Sequence, residues 1–189
     1  MGRPEANLRL FVAAYPPPEA VGRMLAVLDT MELPRGRRTP AEQVHLTLQF
    51  IGDRPIAAMA ETIESFRKAA STIGAFELAI DGLTVLPERG RPRLIAAEAS
   101  DPPGAVVELH RRLASRLASE PRSQKGERFL PHLTLMRFDQ GSAGGSAGLA
   151  RKTPIAPIVF AVREIALMRS VLRPEGAVHQ IVERVALVG

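Results

Sequence analysis

The sequence predicts an α+β fold in one compact unit, and three observations predict it. Strand-like and helix-like segments follow the order β-α-β-α-β-β-α-β-β-β-β, without the strict alternation of a doubly wound parallel sheet. Short connections such as ERGRP and RPEG separate neighbouring strand segments, which suits antiparallel hairpins. Linker-like composition is scarce along the 189 residues, a length that fits one large domain or two small lobes, and either buries a real core.

Taken in order, LRLFVAAYP (Leu8 to Pro16) is rich in β-formers and stops at three prolines, as a strand followed by a turn does. In PEAVGRMLAVLDTM the residues Val21, Met24, Leu25 and Leu28 recur at helical spacing, with Pro17 and Pro18 opening a short amphipathic helix. PRGRRTPAEQ reads as a basic loop leading into VHLTLQFIG, a strand that Gly52 ends. Met59, Ile63 and Phe66 mark a second helix from Ile56 to about Ile73. AFELAIDGLTVLP and PRLIAAEAS are two strands joined by ERGRP. Val106, Leu109, Leu113 and Leu117 give a third helix over 105–119, with arginines between the apolar positions. PHLTLMRF is a strand, and residues 139–152 form a Gly/Ser-rich stretch of flexible-loop composition. The remaining chain reads as successive strands with a turn near RPEG.

The net charge of +5 comes from 25 Lys+Arg against 20 Asp+Glu, and all but three of the cations are arginine. Arginine's planar fork matches phosphate oxygens, so the balance leans towards nucleotides or RNA, although a genome that prefers Arg codons produces the same bias. No cysteine is present, which excludes disulfides, thiolate chemistry and Cys-type zinc sites and fits a cytoplasmic protein. The first residues lack a long apolar region with a cleavage site, and no stretch approaches the roughly 20 apolar residues of a membrane span. A soluble protein is therefore expected, with no membrane partner.

The tetrapeptide His-Leu-Thr-Leu occurs twice, at His45 and at His132, in a chain with four histidines in all. Alternation along a strand puts His45, Thr47 and Gln49 on one face and Leu46, Leu48 and Phe50 on the other. The second copy puts His132, Thr134 and Met136 opposite Leu133, Leu135 and Arg137. Each strand thus offers an imidazole and a hydroxyl side by side. A threonine hydroxyl donates to a non-bridging phosphate oxygen, while a histidine moves a proton at a bridging oxygen or a water. In-line displacement at phosphorus needs a base and an acid on opposite sides, and two facing copies supply both. Imidazole suits either role because its ordinary pKa is about 6.5, and no metal or other cofactor is required. A single H-x-T in a strand is commonplace; duplication with half of the histidines points to chemistry. Neither motif has an H-x-x-x-H or a carboxylate group around it, so a metal site is a poor fit.

On these residues the chain resembles the two-histidine (2H) phosphoesterases, and within them the LigT-like RNA 2′,3′-cyclic phosphodiesterases, also described as 2′-5′ RNA ligases. The likeness runs over essentially the whole length: RLFVAAYPP resembles the first strand, PHLTLMR the extended second motif, and LMRSVLRPEGAVHQIV the closing hairpin. The resemblance implies a bilobal α+β fold, two antiparallel sheets with outer helices around a central cleft, within a single domain of residues 1–189. It implies opening of RNA 2′,3′-cyclic phosphate ends, or of small cyclic nucleotides, to a 2′-phosphate without metal. His45 would protonate the leaving O3′ and His132 activate water, or the reverse. Thr47 and Thr134 would hold phosphate oxygens. Five residues after each histidine stand Phe50, which could stack on a base, and Arg137, which could neutralise phosphate charge. Regular strand parity puts both on the leucine face, so a bulge is needed to bring them round.

Two departures from the family pattern stand out. Many relatives carry Asn or Gln shortly before the first motif and Tyr in the closing hairpin, whereas here the approach is Glu42-Gln43-Val44 and the hairpin position is His179. His179 is taken as a neutral surface replacement in preference to a residue near the cleft, and His110 as an ordinary helix residue. PRGRR and ERGRPR are candidates for gripping an RNA backbone. One tyrosine, seven phenylalanines and no tryptophan favour a short RNA end over a long tract, and the protein is expected to act as a monomer. The alternatives are 2′-5′ ligation of tRNA halves, hydrolysis of another cyclic phosphate, and a non-catalytic RNA-end-binding module.

Overall fold

The apolar periodicities turn into three helices and nine strands among the described residues, which are 7–118, 129–139, 152–173 and 176–189 of a computed structural model. In chain order these are β1 (Asn7–Ala14), α1 (Pro18–Asp29), β2 (Gly36–Arg38), β3 (Leu46–Pro55), α2 (Met59–Ala70), β4 (Phe76–Leu86), β5 (Leu94–Glu98), α3 (Gly104–Leu117), β6 (His132–Phe138), β7 (Lys152–Val162), β8 (Glu164–Arg173) and β9 (Gly176–Ala186). Pro17 caps α1 and Pro18 lies in its first turn, where a missing N–H leaves no helical bond unmade. Residues 140–151 of the Gly/Ser-rich stretch and 174–175 of the RPEG turn lie outside the described residues. No helix among the described residues is long and apolar enough to cross a membrane.

Two expectations give way. The basic loop contains a short strand, β2, because Gly36 to Arg38 pair with Phe138 to Met136 at the end of β6. Nor does Gly52 end its strand. It takes φ 81° inside β3, a conformation open to glycine, and the strand runs on to Pro55.

The sheet is antiparallel throughout, in the order β7-β4-β5-β6-β3-β1-β8-β9, with β2 added to β6. Its middle is narrow: β3 and β6 share a single paired position, Leu46 opposite Leu133. The expected two sheets are therefore two halves joined at one pair, one of four strands and one of four with β2 added, and each half offers its motif strand at the junction. Leu46, Leu48, Leu133 and Leu135 are all buried and join the apolar stripes of the three helices in one core. Each half is covered partly from the other. The helix between β1 and β3 packs on β7, with Arg23 Nη2 donating to Pro157 O at 3.4 Å. The helix between β5 and β6 packs on β3, where Arg54 Nη2 donates to Leu117 O at 2.8 Å. A second, smaller cluster of Phe11, Ala13, Ala166 and Met168 lies apart from that core, on the face of β1 and β8 that carries the motif threonine's neighbour.

Candidate active site between the two motif strands

Because Leu46 pairs with Leu133 and both are buried, the residues on either side of each leucine turn to the opposite face of the sheet. Continuing that register by one residue sets His45 across from Thr134, and Thr47 across from His132. In a ladder continued past that single pair the two histidines would be diagonal neighbours, a relation that separates Cα atoms by about 7–8 Å. All four side chains are half-buried. The sheet is kept low beside each hydroxyl: Ala13 pairs with Thr47 on one side and Ala96 with Thr134 on the other. Neither threonine hydroxyl has a partner among the described residues, so both are available to an anion. Glu98 stands in register beside His132, with its Oε1 3.5 Å from Lys152 Nζ.

The two imidazoles are held alike. His45 Nδ1 meets Gln43 O at 2.6 Å and His132 Nδ1 meets Leu130 O at 2.9 Å, in each case the carbonyl two residues upstream. A carbonyl only accepts, so each Nδ1 carries its hydrogen and each Nε2 is left for proton transfer. Burial pushes the His45 pKa down to about 4; its carbonyl partner opposes this, and His179, Arg137 and His132 add to it. The rings of Phe11 and Tyr15 crowd His45, with centroids at 5.2 and 5.4 Å. Burial also raises the Tyr15 pKa to about 12, keeping the phenol neutral.

Both motif strands carry an irregularity at the same place. Register shifts skip Leu48 in β3 and Leu135 in β6, each three residues after the histidine. An extra residue reverses the alternation beyond it. Phe50 is consequently 67 % exposed, with its ring 6.5 Å from that of Phe11 on the histidine face. In the second copy Met136 sinks to 5 % exposure and Arg137 is exposed. The simple parity that set Met136 beside His132 is thus corrected. Arg137 lies close enough to bear on the proton affinity of His45. In the first copy the freed Leu48 carbonyl accepts from His110 Nδ1 at 2.6 Å.

His179 is also corrected. It is no neutral surface replacement: its ring meets His45 edge-on at 5.1 Å and Phe11 at 4.8 Å. Phe11 and Tyr15 are the neighbours of His45 that sequence reasoning passed over, while His179 was weighed and set on the surface. The spacing Phe11, Ala13, Tyr15 on one strand face was the available signal, whereas the position of His179 depends on the pairing of β9 through β8 to β1. The basic loops gather at the far end of β6. Arg37 pairs with Arg137, Arg93 O accepts from Phe138 N at 2.9 Å, and Arg89, Arg91 and Arg93 are exposed. A polar cavity of about 590 Å³ between α2 and α3, lined by Lys68, Arg111, Arg112 and Arg116, lies in the helix layer and contains no acid–base pair. Among the described residues no three His, Asp or Glu side chains converge as metal ligands would.

Comparison with known proteins bears on the family and the fold. An RNA 2′,3′-cyclic phosphodiesterase of Geobacillus stearothermophilus is 35% identical over 129 residues, 68% of this chain and 41% of that protein; the match spans less than half of that relative's length. One from Thermus thermophilus is 28% identical over 200 residues, covering 96% of this chain and 91% of the relative. Among solved structures, a Thermus thermophilus protein superposes with a TM-score of 0.78 at 25% identity, covering 96% of this chain and 99% of that one. E. coli LigT complexed with 3′-AMP superposes with a TM-score of 0.79 at 24% identity, covering 97% of this chain and all of that one, a likeness of fold. The model of the 2′-5′ RNA ligase superfamily matches residues 16–173, motif strands and the first strand of the closing hairpin included, and the chain belongs to that superfamily.

Proposed function

We propose that this protein is a cytoplasmic, monomeric enzyme that hydrolyses RNA 2′,3′-cyclic phosphate ends to 2′-phosphates. The observation that carries the reading is the paired setting of His45 and His132, each with Nδ1 tied to a backbone carbonyl and Nε2 left for the reaction. Its relatives named RNA 2′,3′-cyclic phosphodiesterase supply the substrate class. The cyclic phosphate lies between the rings, with Thr47 and Thr134 donating to its non-bridging oxygens and Arg137 balancing its charge. His132 Nε2 takes a proton from water as the water oxygen bonds to phosphorus. The P–O3′ bond breaks, and His45 Nε2 delivers a proton to O3′, leaving a 3′-hydroxyl and a 2′-phosphate. The rings thus exchange protonation states once per turnover and are reset through solvent. Phe50 offers a face on which the terminal base stacks.

Because burial disfavours a charged His45, its proton is stabilised only when the phosphate anion is present. The test uses an oligoribonucleotide ending in a 2′,3′-cyclic phosphate, with EDTA present. We expect turnover by the wild type and a loss of at least 10²-fold, the scale of general acid–base catalysis, in His45→Ala and in His132→Ala, both remaining folded. Full activity in the double variant overturns the reading. Tight binding of the cyclic end without turnover favours an end-binding module instead.

A further inference from the structure

His179 is the one histidine on this face that the two motifs do not account for. It lies in β9 opposite Ser170 of β8, and its ring is wedged edge-on against both Phe11 and His45. Its Nδ1 is buried without a hydrogen-bond partner, whereas the residue as a whole is only part-buried. A buried N–H with no acceptor carries the full desolvation penalty of a donor, and an idle lone pair is the cheaper state. The hydrogen of the neutral ring therefore sits on Nε2, the nitrogen that is not among the buried unpartnered atoms.

Charge favours the same state. The ring is part-buried, and desolvation holds its pKa below the ordinary imidazole value. A cation here would also oppose the proton that His45 has to carry. A neutral N–H donor beside His45 adds a hydrogen bond to an anion without that repulsion.

We propose that His179 is a third histidine of the phosphate site, a neutral donor whose Nε2–H binds a non-bridging oxygen of the phosphate that His45 addresses. It deepens the proposed function and rests on the same placement of the phosphate. His179 acts as a substrate-binding group and moves no proton in the reaction.

Two variants separate its donor from its packing. His179→Phe keeps an aromatic edge against His45 and Phe11 but has no N–H, whereas His179→Gln gives up the ring and keeps a donor. Inorganic phosphate is titrated into each folded protein at pH 7.5 by NMR, independently of turnover. We expect about tenfold or greater weakening in His179→Phe, as for loss of a hydrogen bond to a charged group, and recovery of most of it in His179→Gln. With a cyclic phosphate end as substrate, KM rises in His179→Phe while kcat stays within a few-fold. Wild-type phosphate affinity in His179→Phe overturns the inference, even where the wild type hydrolyses cyclic ends. A wild type that binds phosphate through His179 but never turns over cyclic ends overturns the proposed function and leaves this inference standing.

Discussion

Two imidazoles of the same motif differ in their surroundings more than in their sequence. His45 is packed among Phe11, Tyr15 and His179, and the ordinary imidazole pKa of 6.5 falls to about 4 there. The unfolded chain therefore takes up a proton before the folded one does as pH falls. Stability that is complete above pH 6.5 is lost as pH falls towards 4, by ~3 kcal/mol in the limit, and falls no further on this group's account below that. We expect the His45 ring to titrate near pH 4 in free protein by NMR and to move upward when inorganic phosphate is bound. A midpoint near 6.5 without phosphate would show that the aromatic cover is open in solution. The candidate pair is legible in the sequence because a duplicated H-x-T is a local pattern. The inequality of the pair is not, because the rings packed around His45 come from β1, the turn after it and β9.

The bulges show how an element turns a residue type into a site residue. A regular strand places Phe50 and Arg137 among the leucines, and only a register shift three residues after each histidine returns them to the reactive face. Sequence parity detects the conflict and names a bulge as its remedy, but the group that stabilises the bulge comes from elsewhere. In β3 it is His110 of α3, whose Nδ1 binds the Leu48 carbonyl and whose ring stacks on Phe129 at 3.9 Å. An ordinary helix position, as read from periodicity, thus supports the first motif. His110→Phe leaves that carbonyl unpaired, and urea unfolding should show a loss of about 1–3 kcal/mol; equal stability would mean that the carbonyl finds another donor. In β6 the support is β2. A methyl on Gly36 would collide with the Arg137 carbonyl oxygen and with Met136 Cε, so Gly36→Ala forces the strands apart next to Arg137. We expect it to destabilise by about 1–3 kcal/mol and to raise KM for the cyclic end, measured by unfolding and steady-state kinetics respectively.

At the scale of the molecule, one paired position between β3 and β6 would be a weak joint between lobes if nothing else crossed it. The exchange of helices, α1 onto β7 and α3 onto β3, ties the halves into one core and fixes the motif strands relative to one another. Apart from β2, the order of elements and the antiparallel class were legible because both follow from local periodicity and hairpin connections. The exchange was not, since a helix's apolar stripe does not say which sheet it will cover. The same assembly concentrates charge. Loops far apart in sequence, around Arg37 and around Arg89 to Arg93, meet at the end of β6 beyond Arg137. Arg137 at that end still bears on His45, but the loop carrying Arg89 and Arg91 lies past the Leu94–Arg137 pair, on the side away from His132. We expect an oligoribonucleotide whose cyclic end sits in the site to lay its next phosphates along this rim. Replacing Arg89 and Arg91 with Gln should raise KM for the oligonucleotide and flatten the dependence of log affinity on log salt by about 0.7 for each phosphate contact removed. A 2′,3′-cyclic mononucleotide is the control, because it ends before the rim begins. An unchanged salt slope for the oligonucleotide would place the body of the RNA on another path, and the arginines of these loops would then serve solvation alone.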